Sequence, residues 1–204
     1  ITVNADDKYL YSDDGTKILL CDSSVVNIEI SDSVTSIAAG AFSHCRNVET
    51  IVTGNGLTSL SELPKTSKLK SITIGDNVTS ISSNAFSGCR SLTNITIGDS
   101  VTSIADSAFY NCSSLTNVTI PDNVTSIGSN TFSGCSSLTS VTIGNSVTSI
   151  GSNAFSGCNS LRNVTFMDTS TWYYTGETEI DVTNTSNNAA YLRDIYSSNY
   201  WYKK

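Results

Sequence analysis

The chain has 204 residues, 38% of them hydrophobic and only 14% charged, with 11 Lys and Arg against 18 Asp and Glu for a net charge of -7. A chain of this length buries a core as one domain or two small ones, and its acidic balance argues against a sequence-independent grip on a phosphate backbone, so no nucleic-acid partner is expected. No run approaches the roughly 18–20 apolar residues of a membrane span, no basic-then-apolar leader opens the chain, and the first residue is Ile1 rather than Met, so any targeting signal or anchor is expected outside these residues.

In chain order, Tyr9-Leu10-Tyr11 and Ile18-Leu19-Leu20 flank Ser12-Asp13-Asp14-Gly15-Thr16. Asp-Gly between alternating apolar residues predicts a β-hairpin, with Asp13 and Asp14 as turn formers. The alternating acidic ligands, sixth-position Gly and distal Glu of a calcium loop are missing. Residues 1–33 are therefore expected to form an irregular capping turn that carries this hairpin.

From Val34 the chain repeats. Phe86, Phe109, Phe132 and Phe155 lie 23 residues apart, as do Cys89, Cys112, Cys135 and Cys158, and Phe42 and Cys45 hold the same positions in an earlier copy. Leu57 to Asn77 is a degenerate turn, two residues short, with Leu63, Pro64 and Thr66 where the others carry Ala, Phe and Cys. Six repeats thus occupy residues 34–168. In each, the apolar positions run V-x-x-I, A-F-x-x-C, L-x-x-I-x-I, so every apolar residue has counterparts directly above and below it. One unit cannot bury such a row, whereas a stack buries all of them. I-T-I alternates as a strand does, so stacked copies predict a parallel sheet with about 4.8 Å between strands. The outward row is Glu29, Val52, Thr73, Thr96, Thr119, Thr142 and Thr165, and a second polar row, Thr79, Thr102, Thr125 and Thr148, follows on another face. Ser or Asn before A-F-S-G-C and Gly within it predict one helical or 3-10 turn. The fold class is α/β: a solenoid of stacked parallel strands and short helical segments with capped ends.

These repeats, as in V-T-S-I-S-S-N-A-F-S-G-C-R-S-L-T-N-I-T-I from Val78 to Ile97, resemble the BspA-like leucine-rich repeat. The resemblance covers Ile28 to Asp168 and implies an exported bacterial protein that binds host or neighbouring-cell proteins. It brings no catalytic motif.

Chemistry-bearing residues are sparse. The one histidine, His44, stands where later units carry Gly or Asn, and no nucleophile motif accompanies it, so the chain is read as no enzyme. Cys21 and the five repeat cysteines form no C-x-x-C pair. Stacked side chains point the same way, which does not suit the near-right-angle disulfide torsion, so a reduced, buried thiol ladder is expected. Asp32, Asn55, Asp76, Asp99, Asp122, Asn145 and Asp168 recur after I-T-I. Two readings stay open for this row: turn chemistry, in which each side chain bonds its own backbone after Gly or Pro, and weak divalent-cation binding between turns. No cofactor and no metal is assigned.

After Asp168 the repeat stops, and residues 169–204 hold Trp172, Tyr173, Tyr174, Tyr191, Tyr196, Tyr200, Trp201 and Tyr202. One reading is a terminal cap over the open end, with a short helix in Asn187 to Ser197 and a strand in Glu179 to Val182. The other is an exposed aromatic contact surface. For the whole chain, the expected role is a non-catalytic extracellular or cell-surface module for a protein or glycoprotein ligand. Its expected contacts are Thr73, Thr96, Thr119 and Thr142, then Trp172, Tyr200, Trp201 and Tyr202. The competing role is a spacer that presents a flanking domain.

Overall fold

The computed structural model describes residues 8–174, 178–195 and 198–203. Its first strands are β1 (Tyr9–Tyr11), β2 (Lys17–Cys21), β3 (Asn27–Glu29), β4 (Ser36–Ile37), β5 (Thr50–Val52) and β6 (Ser71–Thr73). The middle of the chain supplies β7 (Ser80–Ile81), β8 (Asn94–Thr96), β9 (Ser103–Ile104), β10 (Asn117–Ile120), β11 (Ser126–Ile127), β12 (Ser140–Ile143), β13 (Ser149–Ile150) and β14 (Asn163–Phe166). Then come β15 (Trp172–Tyr174), β16 (Thr178–Ile180), helix α1 (Thr185–Ala190), a π-helical turn (Tyr191–Ile195) and β17 (Trp201–Lys203).

The repeats stack as the periodicity requires. The I-T-I pieces pair in parallel and in register, Ile28 with Ile51, Ile51 with Ile72, Ile72 with Ile95, and later Val118 with Val141 and Val141 with Val164. The S-I pieces form a second parallel face, β7-β9-β11-β13. At the start of the chain the antiparallel hairpin of β1 and β2 joins β4. The hairpin turn is held by Asp14, whose Oδ1 accepts from Ser12 Oγ at 2.6 Å and from Thr16 Oγ1 at 2.9 Å, while Gly15 takes φ +71°. Those donors hold the Asp14 carboxyl below the usual carboxylate range.

The third face differs from the sequence expectation. A-F-S-G-C forms consecutive turns, and no helical or 3-10 segment occurs within the described repeats. Asn84, Asn130 and Asn153 have φ of 55–58°, and Gly88, Gly134 and Gly157 lie at 74–78°. Two left-handed residues four apart cannot belong to a right-handed helix, so Asn and Gly here serve the turns rather than cap a helix. The turns bond to the next repeat instead: Phe86 N–H donates to Ala108 O at 2.7 Å, Phe109 to Thr131 at 2.9 Å and Phe132 to Ala154 at 2.7 Å.

Inside, Phe86, Phe109, Phe132 and Phe155 form a column with centroids 5.3–5.5 Å apart and planes within 14°. Beside it runs the cysteine ladder, with all six thiols free and buried. No disulfide joins them. Cys112, Cys135 and Cys158 Sγ donate to the carbonyls of Phe86, Phe109 and Phe132 at 3.2, 3.3 and 3.1 Å, each in the turn before. In the degenerate turn Leu57, Leu60, Leu63 and Leu69 rebuild the core, and Thr66 Oγ1 takes the thiol's place, donating to Val48 O at 2.7 Å.

The C-terminal residues close the stack. Antiparallel strands continue the second face in the order β13-β17-β15-β16. Side chains alternate along them: Trp172 and Trp201 point in, with Phe166 edge-on to Trp172 at 5.0 Å and parallel to Trp201 at 6.5 Å. Asn184 caps α1 by accepting from Asn187 N–H at 2.9 Å. Asn188 on α1 donates to Val164 O at 3.0 Å and Val182 O at 2.7 Å, fixing the helix over the end of β14. Lys203 Nζ bonds Asp168 Oδ2 at 2.6 Å and lies 5.1 Å from the Trp172 ring, and this partner pulls the Asp168 carboxyl down to about 2.

Candidate ligand-binding surface on the strand face

The outward row of the I-T-I strands stands in the expected order. Glu29, Val52, Thr73, Thr96, Thr119 and Thr165 are exposed and Thr142 is half-buried. The second row, Thr79, Thr102, Thr125 and Thr148, is consumed by the stack. Thr102, Thr125 and Thr148 each donate both backbone N–H and Oγ1 to the preceding threonine's carbonyl, at 2.8–3.2 Å. Hydroxyls on the strand face have no such turn-to-turn role, which leaves them available to a ligand.

The strand face is not continuous. Among the described residues it consists of one four-stranded sheet, β3-β5-β6-β8, and one three-stranded sheet, β10-β12-β14. Pro121 stands at the break. Gly54, Gly75, Gly98 and Gly144 occupy the same position in other turns, where a Cβ on Gly75 would sit 2.6 Å from Gly54 O, and one on Gly98 2.5 Å from Gly75 O. Pro121 carries a Cβ at that position and has no N–H, whereas Met167, also with a Cβ there, donates its N–H to Ile143 O at 2.9 Å in a sheet that stays paired. Ile30 donates to Val52 O and Ile74 to Thr96 O, both at 2.9 Å, but the equivalent bond from Ile97 to Thr119 is missing. A groove of about 460 Å³ results, walled by Thr96 and Thr119, with Asn94 and Asn117 at one end and Asp99 and Pro121 at the other. At its floor Ile95 is half-buried, while its stacked counterparts Ile28, Ile51, Ile72, Val118, Val141 and Val164 are buried. The site thus offers two hydroxyls, one carboxylate, an open backbone donor and an apolar floor, while the Asn94 and Asn117 amides are bonded to Thr93 and Thr116. Pro121→Gly is expected to rejoin the sheets, and hydrogen exchange checks it: the Ile97 amide exchanges quickly in the parent chain and becomes protected in the variant.

The other sequence-derived contacts fare unevenly. Trp172 and Trp201, at 0% and 1% exposure, are walls of the cap core, so the expectation that they meet a ligand is corrected. In a strand with period two their neighbours face out instead. Tyr173 and Tyr202 stack at 5.9 Å on the outer side, and Tyr200 is 45% exposed. The aromatic surface is therefore smaller than the composition suggests and lies far along the stack from the groove. Tyr196 falls outside the described residues.

Most of the Asp/Asn row bonds forward to the next turn, while Asp168 Oδ1 accepts from Ser170 N–H in its own turn at 2.9 Å. Asp32 Oδ1 accepts from Asn55 N–H at 2.7 Å, Asn55 Oδ1 from Asp76 N–H at 2.8 Å and Asp122 Oδ1 from Asn145 N–H at 3.0 Å. Stacking brings the next turn's N–H within reach, and the bond disperses the charge that repels its neighbours. Among the described residues no three His, Cys, Asp or Glu side chains converge to hold a metal. His44 is exposed on its turn.

The BspA type leucine rich repeat region matches residues 19–64 and 63–175, in six copies. The chain belongs to the BspA-type leucine-rich repeat family. A leucine-rich repeat protein from Bacteroides ovatus is 34% identical over 69% of this chain, with a TM-score of 0.58. This chain covers 37% of that protein's length. The leucine rich repeat protein of T. pallidum is 22% identical over 75% of this chain and 86% of its own, with a TM-score of 0.50. The pneumococcal vaccine antigen PcpA is 20% identical over 75% of this chain and 47% of its own, with a TM-score of 0.51. These last two share the fold. No curated protein matches the chain. No helix among the described residues of this BspA-type chain is long and apolar enough to cross a membrane.

Proposed function

We propose that this BspA-type chain is a non-catalytic binding module of the bacterial surface or its surroundings, and that it holds an extracellular protein or glycoprotein across the strand face at the Pro121 groove. The observation that carries the reading is the interruption itself. A stack serving only as a spacer gains nothing from splitting its sheet, whereas a concave break between Thr96 and Thr119 supplies shape, an apolar floor and unpaired polar groups in one place. Low charge on the groove walls implies binding that changes little with salt.

The test is binding to a panel of matrix proteins, mucins and bacterial surface glycans by the parent chain and by Thr96→Lys with Thr119→Lys and Thr142→Lys. All three are surface positions in strands, so the variant is expected to fold, and melting temperature verifies it. Saturable binding to a panel member that weakens about tenfold or more in the variant is the expected result. Binding that survives the three lysines places the contact elsewhere, and no binding across the panel favours the spacer.

A further inference from the structure

The degenerate turn opens a second cleft on a different face, among other residues and with a different chemistry. Because this turn is two residues short and carries Pro64 where the column has Phe, it does not meet the A-F-S-H-C turn before it. A space of about 500 Å³ lies between them, bounded by Phe42, Arg46, Glu62, Pro64 and Lys65. That volume lies in the range of about 300–1,000 Å³ usual for ligand clefts.

Two independent features describe what fits it. The first is an open backbone ladder. In a regular turn Phe86 and Gly88 N–H each donate across to the next repeat, to Ala108 and Tyr110, at 2.7 Å. Their counterparts Phe42 and His44 have N–H groups without an acceptor among the described residues, and at Gly40 the Glu62 carboxylate substitutes for the ladder at 3.3 Å. The second is charge. Arg46, Lys65, Lys68, Lys70 and Arg90, five of the chain's 11 cationic side chains, cluster around this turn in a protein of net charge -7. Lys70 is paired with Glu49 at 2.7 Å and Lys68 Nζ bonds Asn47 Oδ1 at 2.6 Å. Arg46 and Lys65 are exposed on the cleft and have no carboxylate partner among the described residues. Glu62, the one acidic wall residue, is held by Gly40.

We propose that this cleft binds an acidic, extended polypeptide segment. Arg46 and Lys65 meet its carboxylates, the Phe42 and His44 N–H groups donate to its main-chain carbonyls, and Phe42 with Pro64 forms the apolar floor. Two amide donors left open in a ladder suit a peptide backbone better than a sialylated sugar, whose carboxylate would need only the cations. The site is separate from the strand face, so variants of each serve as controls for the other.

The test is isothermal titration of the whole chain with a short peptide of alternating Glu and Val, its Gln-for-Glu counterpart, and sialyllactose. The acidic peptide is expected to bind and the Gln peptide to bind at least about tenfold more weakly. Arg46→Glu with Lys65→Glu, both exposed and verified by an unchanged melting temperature, is expected to abolish the binding, while Thr96→Lys with Thr119→Lys leaves it unchanged. Absence of binding, equal affinity for the Gln peptide, insensitivity to the charge reversal, or capture of sialyllactose in place of the peptide would each overturn the proposal.

Discussion

Phe109→Ala is expected to lower the unfolding free energy by about 3–5 kcal/mol, the range for emptying a buried aromatic site. Phe109 is fully buried and lies in the middle of the column, 5.5 Å from Phe86 and 5.4 Å from Phe132. Its neighbours cannot move in to fill the void, because the ladder bonds from Phe86 to Ala108 and from Phe109 to Thr131 fix the distance between turns. In a stack whose stability sums over adjacent units, the loss falls on both interfaces of one repeat, so the denaturant midpoint should drop steeply. Phe42→Ala, beside the cleft and outside the column, is expected to cost less. A loss below about 1 kcal/mol for Phe109→Ala would mean that the column is not packed as a unit.

The second large effect is alkaline unfolding. Burial pushes the Cys89 thiol up to about 11 and the Cys158 thiol up to about 12, and raises Cys21, Cys112 and Cys135 further still. An unfolded thiol ionises near about 8.5. Below that pH both states keep their protons and the thiols leave stability unchanged. Above it the unfolded chain releases protons that the folded chain retains, so stability falls as pH rises toward the folded values, by about 1.4 kcal/mol per pH unit for each such thiol. Several thiols acting together should produce a sharp fall in melting temperature above pH about 9. Thiol reagents at neutral pH should label none of the 6 cysteines until the protein unfolds, and then all of them without reductant. A flat melting profile to pH about 10.5, or rapid labelling of the native chain, would contradict the buried ladder.

Most of the stack is legible in the sequence because the 23-residue period forces it: rows of Ile, Phe, Leu and Cys can be buried only by stacking, and I-T-I then sets which threonines face out. Asn before A-F resembles a helix cap, whereas Asn and Gly four apart, each at a left-handed position, specify turns instead. Trp172 and Trp201 show a related limit. Aromatic abundance does not tell inward from outward, and only the alternation Trp-Tyr in two paired strands does so. The groove lies beside Pro121, yet Pro and Gly both suit a turn, and the close approach of the preceding turn's carbonyl to this position exists only once the turns are stacked. The basic cleft likewise follows from a two-residue deletion whose three-dimensional effect no single turn reveals.

The most direct test of the central claim is the affinity of Pro121→Gly for whichever panel ligand the parent chain binds. Closing the break should keep the fold, rejoin β8 to β10 and weaken binding by about tenfold or more, because the floor at Ile95 and the Ile97 donor are both withdrawn. Affinity equal to that of the parent chain, in a variant whose Ile97 amide is shown to be protected, would contradict the groove as the binding site.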